Sequence, residues 1–413
     1  MKILFKTSNL KLADSNSESV SGDEKNIFYR SSLFLTCIGE LMVGIWKKIL
    51  HEITSHALFS ISLTAAVVTS FFNIPKWDYI DVKVLVCLFE LMLIVKALEE
   101  YGLLGHIAIK IVNYCKNERR LTAALCVITF LLSMFTTNDV AVLTIIPILV
   151  AISRTCGFSI TLPCVLTTIA ANLGSSTTPI GNPQNLYIFS FYKMNPVSFF
   201  RESTPLCLIS LLLLMASTMF IGPKKIQAEL SIVPVAEKKR VSAFLLISVP
   251  VIAGIFGLIS YSITFVLVIL ATIILNGSIL RKLDYRLLLT FLFLFVAVGN
   301  ISHISVLKEQ IAALETTPLK TYASALFLSQ IISNVPSTVM LAPFTVYTHA
   351  LFYGANIGGL GTPIASLASI IAFSLFYQEF PHKKLQFICT FLLYNFIMLV
   401  VLSVMFASVI VKV

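Results

Sequence analysis

Apolar runs follow one another along most of the chain, separated by short polar or basic stretches. Because about 20 apolar residues in a helix cross the hydrocarbon core, this pattern predicts an all-α polytopic membrane protein with about 10 spans plus two hairpins. The chain shows no strand-like alternation of apolar and polar residues that would indicate a β-barrel. Residues 31–46 are predicted to form either a short membrane span or a helix that lies in the membrane–water interface. The predicted spans are residues 31–46, 56–75, 79–98, 161–190, 205–221, 241–259, 262–275, 287–302, 354–373 and 386–411.

Two further apolar regions are interrupted after arms that are too short to cross a membrane. Within residues 121–152, two apolar arms flank the polar Thr136–Asp139. At 1.5 Å per residue, neither arm reaches across a core of about 30 Å. Residues 321–345 repeat the pattern around Ser333–Thr338. We therefore predict re-entrant helical hairpins at both places.

Two apolar segments contain breaks that are unusual for a continuous membrane helix. Ala171–Asn185 holds two prolines, two glycines and a run of hydroxyl and amide side chains, with no charge. Backbone groups freed at Pro179 and Gly181 need partners, and at membrane depth these exist only inside protein or beside a polar cavity. The pattern predicts broken helices at residues 161–190 and 354–373, with a binding site at the breaks.

The two halves of the chain resemble each other at short motifs. A shift of 196 relates the two hairpins, and a shift of 184 relates the two broken helices. The loop charges place the openings of the hairpins on opposite sides of the membrane, which predicts two inverted-topology repeats meeting near the midplane. The related positions are Thr137 and Ser333, Asn138 and Asn334, Pro147 and Pro343, Asn172 and Asn356, Gly174 and Gly358, and Thr178 and Thr362.

The distribution of charge divides the chain into four predicted regions. Residues 1–30 form a polar N-terminal tail, 31–221 the first repeat, 222–240 a linker and 241–413 the second repeat. The linker carries two Lys/Arg clusters and most basic short loops fall on its side. By the positive-inside rule, the linker is cytoplasmic.

Composition agrees with this assignment and excludes several classes of protein. The chain is 57% hydrophobic and 12% charged, against roughly 25% charged residues in soluble domains. Its net charge of +10 follows from the membrane topology, so nucleic acid is not a predicted partner. The eight cysteines are scattered without a C-x-x-C pair, which predicts no zinc site and no disulfide framework. No cofactor is predicted beyond Na+ or H+ as a coupling ion.

At the hairpin tips and the breaks, the chain resembles a known group of transporters. Thr137–Ala141, Thr178–Asn185, Ser333–Thr338 and Asn356–Gly359 look like the signatures of the ion-transporter superfamily. That group joins arsenite permeases, NhaD-type sodium/proton antiporters, citrate transporters and divalent-anion/sodium symporters. Within it, the chain resembles YbiR-type anion permeases of the bacterial inner membrane.

The resemblance implies a scaffold of interface helices and a transport region built from the hairpins and broken helices. It implies elevator-like alternating access, and it leaves a homodimer open. In the divalent-anion symporters, Ser-Asn-Thr at each tip binds substrate and, with the broken helix, sodium. The third matching position here is Asp139 in one tip and Val335 in the other, which argues against a two-sodium dicarboxylate site.

Asp139 is the one charged residue of the four hairpin and broken-helix segments. A carboxylate inside a membrane is costly enough to indicate a function, here binding Na+ or carrying H+. It also fits a capping role at the N-terminus of the returning arm. The predicted ion-coupling residues are Thr137, Asn138, Asp139, Asn172, Gly174, Asn334, Asn356 and Gly358.

Without lysine or arginine in these segments, a substrate would be held by backbone N–H groups and by hydroxyl and amide donors. The same polar side chains also serve as packing contacts between membrane helices. The predicted substrate-binding residues are Asn138, Ser175, Thr178, Asn182, Asn185, Ser333, Asn334, Thr338 and Thr362.

The sequence thus predicts a secondary active transporter of the bacterial inner membrane for a small anion or oxyacid, coupled to Na+ or H+. Its predicted partners are this substrate and the lipid bilayer. An arsenite or antimonite exporter, a Na+/H+ antiporter and a passive ion channel remain open. A membrane enzyme is not predicted, because Asp139 has no paired carboxylate and no Walker A or H-E-x-x-H motif is present.

Overall fold

The computed structural model describes residues 57–226 and 234–411, and within them the chain is almost entirely helical. Eighteen α-helices are connected by turns and short 3₁₀ segments, and no strand longer than an isolated bridge occurs in these residues. From Leu58 onward the chain forms one compact unit. The predicted tail at 1–30 and the predicted span at 31–46 lie outside the described residues.

The helices of the N-terminal half comprise two apolar helices, a connector, the first hairpin, the first broken helix and a return helix. They are α1 Ala57–Ser70, α2 Val82–Glu100, α3 Leu103–Val112, α4 Glu118–Thr136, α5 Asn138–Cys156, α6 Thr161–Ser175, α7 Pro183–Phe191 and α8 Pro196–Thr218.

The C-terminal half has a similar order of elements. Its helices are α9 Lys238–Ile255, α10 Tyr261–Asn276, α11 Ser278–Arg281, α12 Tyr285–Ile301, α13 Ser305–Leu314, α14 Pro318–Ile332, α15 Asn334–Leu341, α16 Thr348–Gly358, α17 Leu367–Glu379 and α18 Lys384–Ile410. Connector α13 bends by 102° from α12.

Both arms of the first hairpin are longer than their apolar runs. The side chain of Asn117 caps α4 by accepting the Arg120 N–H, and α5 continues to Gly157, whose φ of 68° ends it. Each arm has 19 residues and is long and apolar enough to cross a membrane. The argument from arm length therefore fails for this hairpin, and its re-entrant course stays a prediction.

Each hairpin packs its first arm against the broken helix that follows it, through a glycine. Gly174 of α6 faces the Phe130 carbonyl of α4, and Gly358 of α16 faces Ser329 of α14. A Cβ at Gly358 would lie 2.8 Å from the Ser329 hydroxyl oxygen, closer than side chains tolerate. These are the two most extensive helix contacts among the described elements, and they position the breaks beside the hairpin tips.

Candidate functional site

A single residue joins the two arms at each hairpin tip, in a backbone conformation that is normally reserved for glycine. Thr137 has φ 95° and ψ 150°, and Ser333 has φ 77° and ψ 154°. This region costs a non-glycine residue about 1–3 kcal/mol. The sharp reversal makes Asn138 and Asn334 the first residues of the returning helices, and both side chains are buried.

The first tip forms hydrogen bonds with buried side chains of both broken helices. Asn138 Nδ2 donates to Asn172 Oδ1 at 3.1 Å and to Ser366 Oγ at 3.3 Å. Ser366 Oγ also donates to Asn172 Oδ1 at 2.8 Å, and Asn172 Nδ2 donates to Ser369 Oγ at 3.2 Å. The first broken helix is thereby bonded to the second.

In a second set of contacts, an asparagine of the second broken helix bonds to side chains of the first. Asn182 Nδ2 donates to Asn356 Oδ1 at 3.1 Å, and Asn356 Nδ2 donates to Asn185 Oδ1 at 2.7 Å. Asn182 Nδ2 also donates to Ser175 Oγ at 3.1 Å. All four side chains are buried.

The two sets of contacts are related by the shift of 184. Asn182 and Asn185 correspond to Ser366 and Ser369, and Asn172 corresponds to Asn356. In the first set, Ser366 donates to Asn172 Oδ1 and Ser369 accepts from Asn172 Nδ2. In the second set, Asn182 donates to Asn356 Oδ1 and Asn185 accepts from Asn356 Nδ2. Such an exchange is what a two-fold axis relating the halves would produce. We call these residues, with Asn138 and Ser175, the amide cluster.

Two predicted substrate ligands have a different role from the rest. Thr178 Oγ1 donates to the Met134 carbonyl at 2.5 Å, and Thr362 Oγ1 donates to the Gln330 carbonyl at 3.0 Å. Met134 and Gln330 are themselves related by the shift of 196. Each threonine therefore ties a break to the first arm of its own hairpin, and its hydroxyl hydrogen is used in that bond.

The remaining predicted residues lie around the cluster. Ser333 Oγ donates to the Ala365 carbonyl at 3.3 Å, and Thr338 Oγ1 donates to the Asn334 carbonyl at 2.7 Å. An added Cβ at Gly359 would lie 2.8 Å from Asn334 Nδ2, so the second tip touches the break at Gly359.

Asp139 follows Asn138 in the chain and lines a cavity of about 210 Å³. Its Oδ1 is buried without a hydrogen-bond partner. Its backbone N–H donates to Asn138 Oδ1, so its side chain is not what holds the tip. Four charged side chains of the neighbouring helices also line the cavity: Lys96, Glu99, Lys282 and Asp284.

Three of the four charged side chains that line this cavity form ion pairs. Lys96 Nζ lies 3.1 Å from Glu99 Oε2, and Lys282 pairs with Glu100. Asp284 caps α12 by accepting the Arg286 N–H at 3.1 Å. No Lys or Arg of the described chain pairs with Asp139, so its carboxylate is available to a proton or a cation.

Ser366, Ser369 and Gln330 belong to the site but were not predicted from the sequence. The shift of 184 applied to Asn182 and Asn185 would have found both serines. Gln330 bonds the second break through its side chain, donating to the Gly358 carbonyl at 2.8 Å and accepting the Thr362 N–H at 2.9 Å. The repeat is hard to recognise at these two positions, because asparagine in the first half is replaced by serine in the second.

Comparison with known proteins identifies related transporters. Residues 41–350 match the family model described as a citrate transporter. The uncharacterized transporter MJ0456 of Methanocaldococcus jannaschii is 33% identical over 307 residues, which are 74% of this chain and 82% of that protein. The inner membrane protein YbiR of Escherichia coli is 29% identical over 349 residues, 78% of this chain and 88% of that protein.

A solved structure has a similar fold. The YdaH transporter of Alcanivorax borkumensis matches with a TM-score of 0.52 and 17% identity, over 79% of this chain and 84% of that one. At this identity the likeness concerns the fold alone. It confirms the predicted helical, polytopic membrane architecture.

Proposed function

The chain belongs to the citrate transporter family, and we propose that within this family it carries a small anion or oxyacid across the bacterial inner membrane, coupled to Na+ or H+. That it is a membrane transporter and not an enzyme follows from the family and its relatives. The substrate, the coupling ion and the alternating-access movement are parts of the proposal.

The observation that carries the proposal is the amide cluster. Buried amides and hydroxyls from both broken helices converge there beside Asn138 and the N-terminal ends of α7 and α15. The helix dipole at such ends favours negative charge. An oxyanion or oxyacid needs many donors in a small space. The cluster's donors bond one another in this structure, and we propose that a substrate exchanges with these bonds, without a permanent positive charge that would slow its release.

Asp139 is the proposed coupling group. Its carboxylate has an unpartnered oxygen, and Asp139 lines a cavity that the partly exposed Lys96 and Lys282 also line. A proton or Na+ can therefore reach it from the side on which these lysines lie, the side that the charge pattern predicts to be cytoplasmic. Because Asn138 and Asp139 are adjacent, an ion at Asp139 would change the charge beside the substrate.

A neutral hydroxylated substrate such as arsenous acid is the second candidate. It is favoured by the absence of lysine and arginine from all four hairpin and broken-helix segments. Hydroxyl groups can both donate to and accept from asparagine side chains, so a neutral oxyacid would satisfy the same cluster.

Uptake into reconstituted vesicles tests the proposal. Purified protein is assayed with labelled citrate, phosphate and arsenite, with and without Na+ and pH gradients. We expect gradient-dependent uptake of at least one, reduced 10-fold or more by Asp139→Asn and by Asn172→Ala. A 10-fold change corresponds to about 1.4 kcal/mol, the order of one buried hydrogen bond.

Asn395→Ala is the matched control. Asn395 is also buried, and its amide donates to the Phe391 carbonyl of its own helix at 2.9 Å, so uptake should survive. Thermal unfolding shows whether each variant is folded. Full uptake by both site variants would refute the assigned site. Flux that ignores both gradients would indicate a channel.

A further inference from the structure

A buried carboxylate lies far along the chain from Asp139, at the base of the second hairpin. Glu315 follows connector α13 and precedes α14, and it is only 4% exposed. Neither of its carboxylate oxygens has a hydrogen-bond partner. An ionised carboxylate left buried and unpaired costs several kcal/mol, so this group needs a neutralising partner.

The described chain provides no basic side chain for that purpose. No Lys, Arg or His nitrogen lies within 4.0 Å of Glu315 in residues 57–226 and 234–411. The nearby Lys320 donates to Thr316 Oγ1 at 3.0 Å, and Glu309 on α13 is exposed. The phenol of Tyr192 is the titratable group that faces Glu315 from the first half.

The first hairpin also has a buried glutamate near the base of its first arm, in a different environment. Glu118 opens α4 and is 6% exposed. Its N–H donates to the Lys224 carbonyl at 2.9 Å, and the Lys224 charge acts on its carboxylate. The two hairpin bases therefore differ in whether a lysine accompanies the carboxylate.

Hydroxyl oxygens surround Glu315 instead. Thr321 and Ser324 on α14 lie beside its carboxylate. Thr321 Oγ1 is 3.0 Å from Thr345 Oγ1, and Ser324 Oγ donates to the Leu314 carbonyl at 3.4 Å. Tyr192 donates to the Ala342 and Thr345 carbonyls. The Ser324 and Tyr192 hydrogens have acceptors elsewhere, and in the Thr321–Thr345 pair either hydroxyl can be the donor. None of these hydroxyls forms a hydrogen bond with the Glu315 carboxylate.

A buried carboxylate that lies beside hydroxyl oxygens without hydrogen-bonding to them is an arrangement that can bind a hard cation. Oxygen ligands about 2.4 Å from a cation lie roughly 3.4 Å from each other in octahedral geometry. That separation is wider than the 2.7–2.8 Å usual for hydroxyl hydrogen bonds. Alternatively, one proton on the carboxyl group could be donated to a neighbouring hydroxyl.

We propose that Glu315 is the anionic ligand of a monovalent-cation site, for H+ or Na+, which it forms with the Thr321 and Ser324 hydroxyls at the base of the second hairpin. The bound cation joins connector α13 to hairpin arm α14. This site is separate from Asp139, and its occupancy does not require a transported substrate.

The pH dependence has a definite sign. Burial raises the pKa of the Glu315 carboxyl above its ordinary value, so the folded chain holds this proton more tightly than the unfolded chain. Its stabilising effect is complete below the ordinary carboxyl pKa and is lost as pH rises through the raised pKa. Bound Na+ would replace the proton at the higher pH.

Thermal unfolding of the purified full chain without substrate tests the site. Midpoints are measured from about pH 5 to pH 8, in NaCl or in choline chloride of equal ionic strength. A midpoint that falls with pH in both salts identifies H+, and a fall that NaCl prevents identifies Na+. In an Asp139→Asn background, which removes the other proposed cation site, Glu315→Gln should weaken either dependence, while Glu309→Gln on the same connector should leave it unchanged.

The proposal is overturned if Glu315→Gln retains the pH and Na+ dependence of the unmodified chain, or if that chain shows neither. Should Glu315→Gln fail to fold, Ser324→Ala provides the second measurement. Loss of one hydroxyl ligand should raise the Na+ concentration needed for half the stabilisation several-fold or, for H+, move the transition in pH. An unchanged curve in both salts counts against the site.

Discussion

The residues with the strongest physical constraint are the two that turn the hairpins. Thr137 and Ser333 have positive φ although neither is glycine, and threonine is β-branched, which makes this conformation particularly unfavourable. Such strain persists only where the surroundings impose it, and it is concentrated at functional sites. Here it fixes the starting direction of the helices that present Asn138 and Asn334.

Replacing Thr137 by glycine should therefore stabilise the fold. The free energy gained by relieving the backbone strain is larger than the entropic cost of the more flexible unfolded chain. The free energy of unfolding should therefore rise by about 1 kcal/mol. Thermal unfolding measures the gain, and Thr317→Gly is the control. Thr317 has φ −142° and caps α14, so glycine there should lower stability by a few tenths of a kcal/mol. Equal effects at both positions would contradict the strain argument.

The sequence alone could identify the polar break residues but not their partners. Asn138, Asn172, Asn182 and Asn356 stand out because amides are unusual in apolar runs, and the repeat pairs Asn172 with Asn356. The bond from Asn172 to Ser369 joins residues 197 positions apart. Nothing in the local pattern encodes such a contact, so it could be inferred only by applying the repeat to every position.

At the scale of the elements, the glycine contacts determine how closely hairpin and broken helix approach. Gly174→Ala should strongly destabilise the protein, because its Cβ would collide with the Phe130 backbone carbonyl, which cannot rotate away. Gly358→Ala should cost less, since the Ser329 hydroxyl is its nearest obstacle. Overpacking typically costs about 1–3 kcal/mol.

Gly105→Ala is the control for this series. An added Cβ there meets nothing within 4 Å, and alanine favours a helix by about 0.5–1 kcal/mol over glycine. Its unfolding midpoint should remain unchanged or rise. If Gly174→Ala behaved like Gly105→Ala, the close approach of α4 and α6 would be wrong.

Element positions were predictable where composition changes sharply, and less so where polar ends extend a helix. The breaks after Ser175 and Gly358 coincide with the predicted polar stretches. The arms of the first hairpin were underestimated because helical hydrogen bonds continue through Glu118 and Ser153 beyond the apolar run. Hydrophobicity marks what lies in lipid, whereas caps decide where a helix ends.

At the scale of the whole molecule, the inverted orientation of the halves remains a prediction. Lys225→Cys before α9 and Glu309→Cys on α13 place single labels at exposed positions in a chain whose own cysteines are replaced. We expect a membrane-impermeant thiol reagent to label position 309 in intact cells and position 225 only after the membrane is opened. Labelling of both positions from the same side would refute the inverted topology.

The amide cluster also limits how this molecule can deform. If one broken helix moved away from the other, Asn172 and Asn356 would lose their partners together, and each buried amide left unpaired costs about 1–3 kcal/mol. A displacement that carries both helices and both hairpins as one rigid body breaks none of these bonds. The amide cluster should therefore hold the two broken helices and the two hairpins together as one rigid body. Any large movement should occur at the connectors α3 and α13, outside this body.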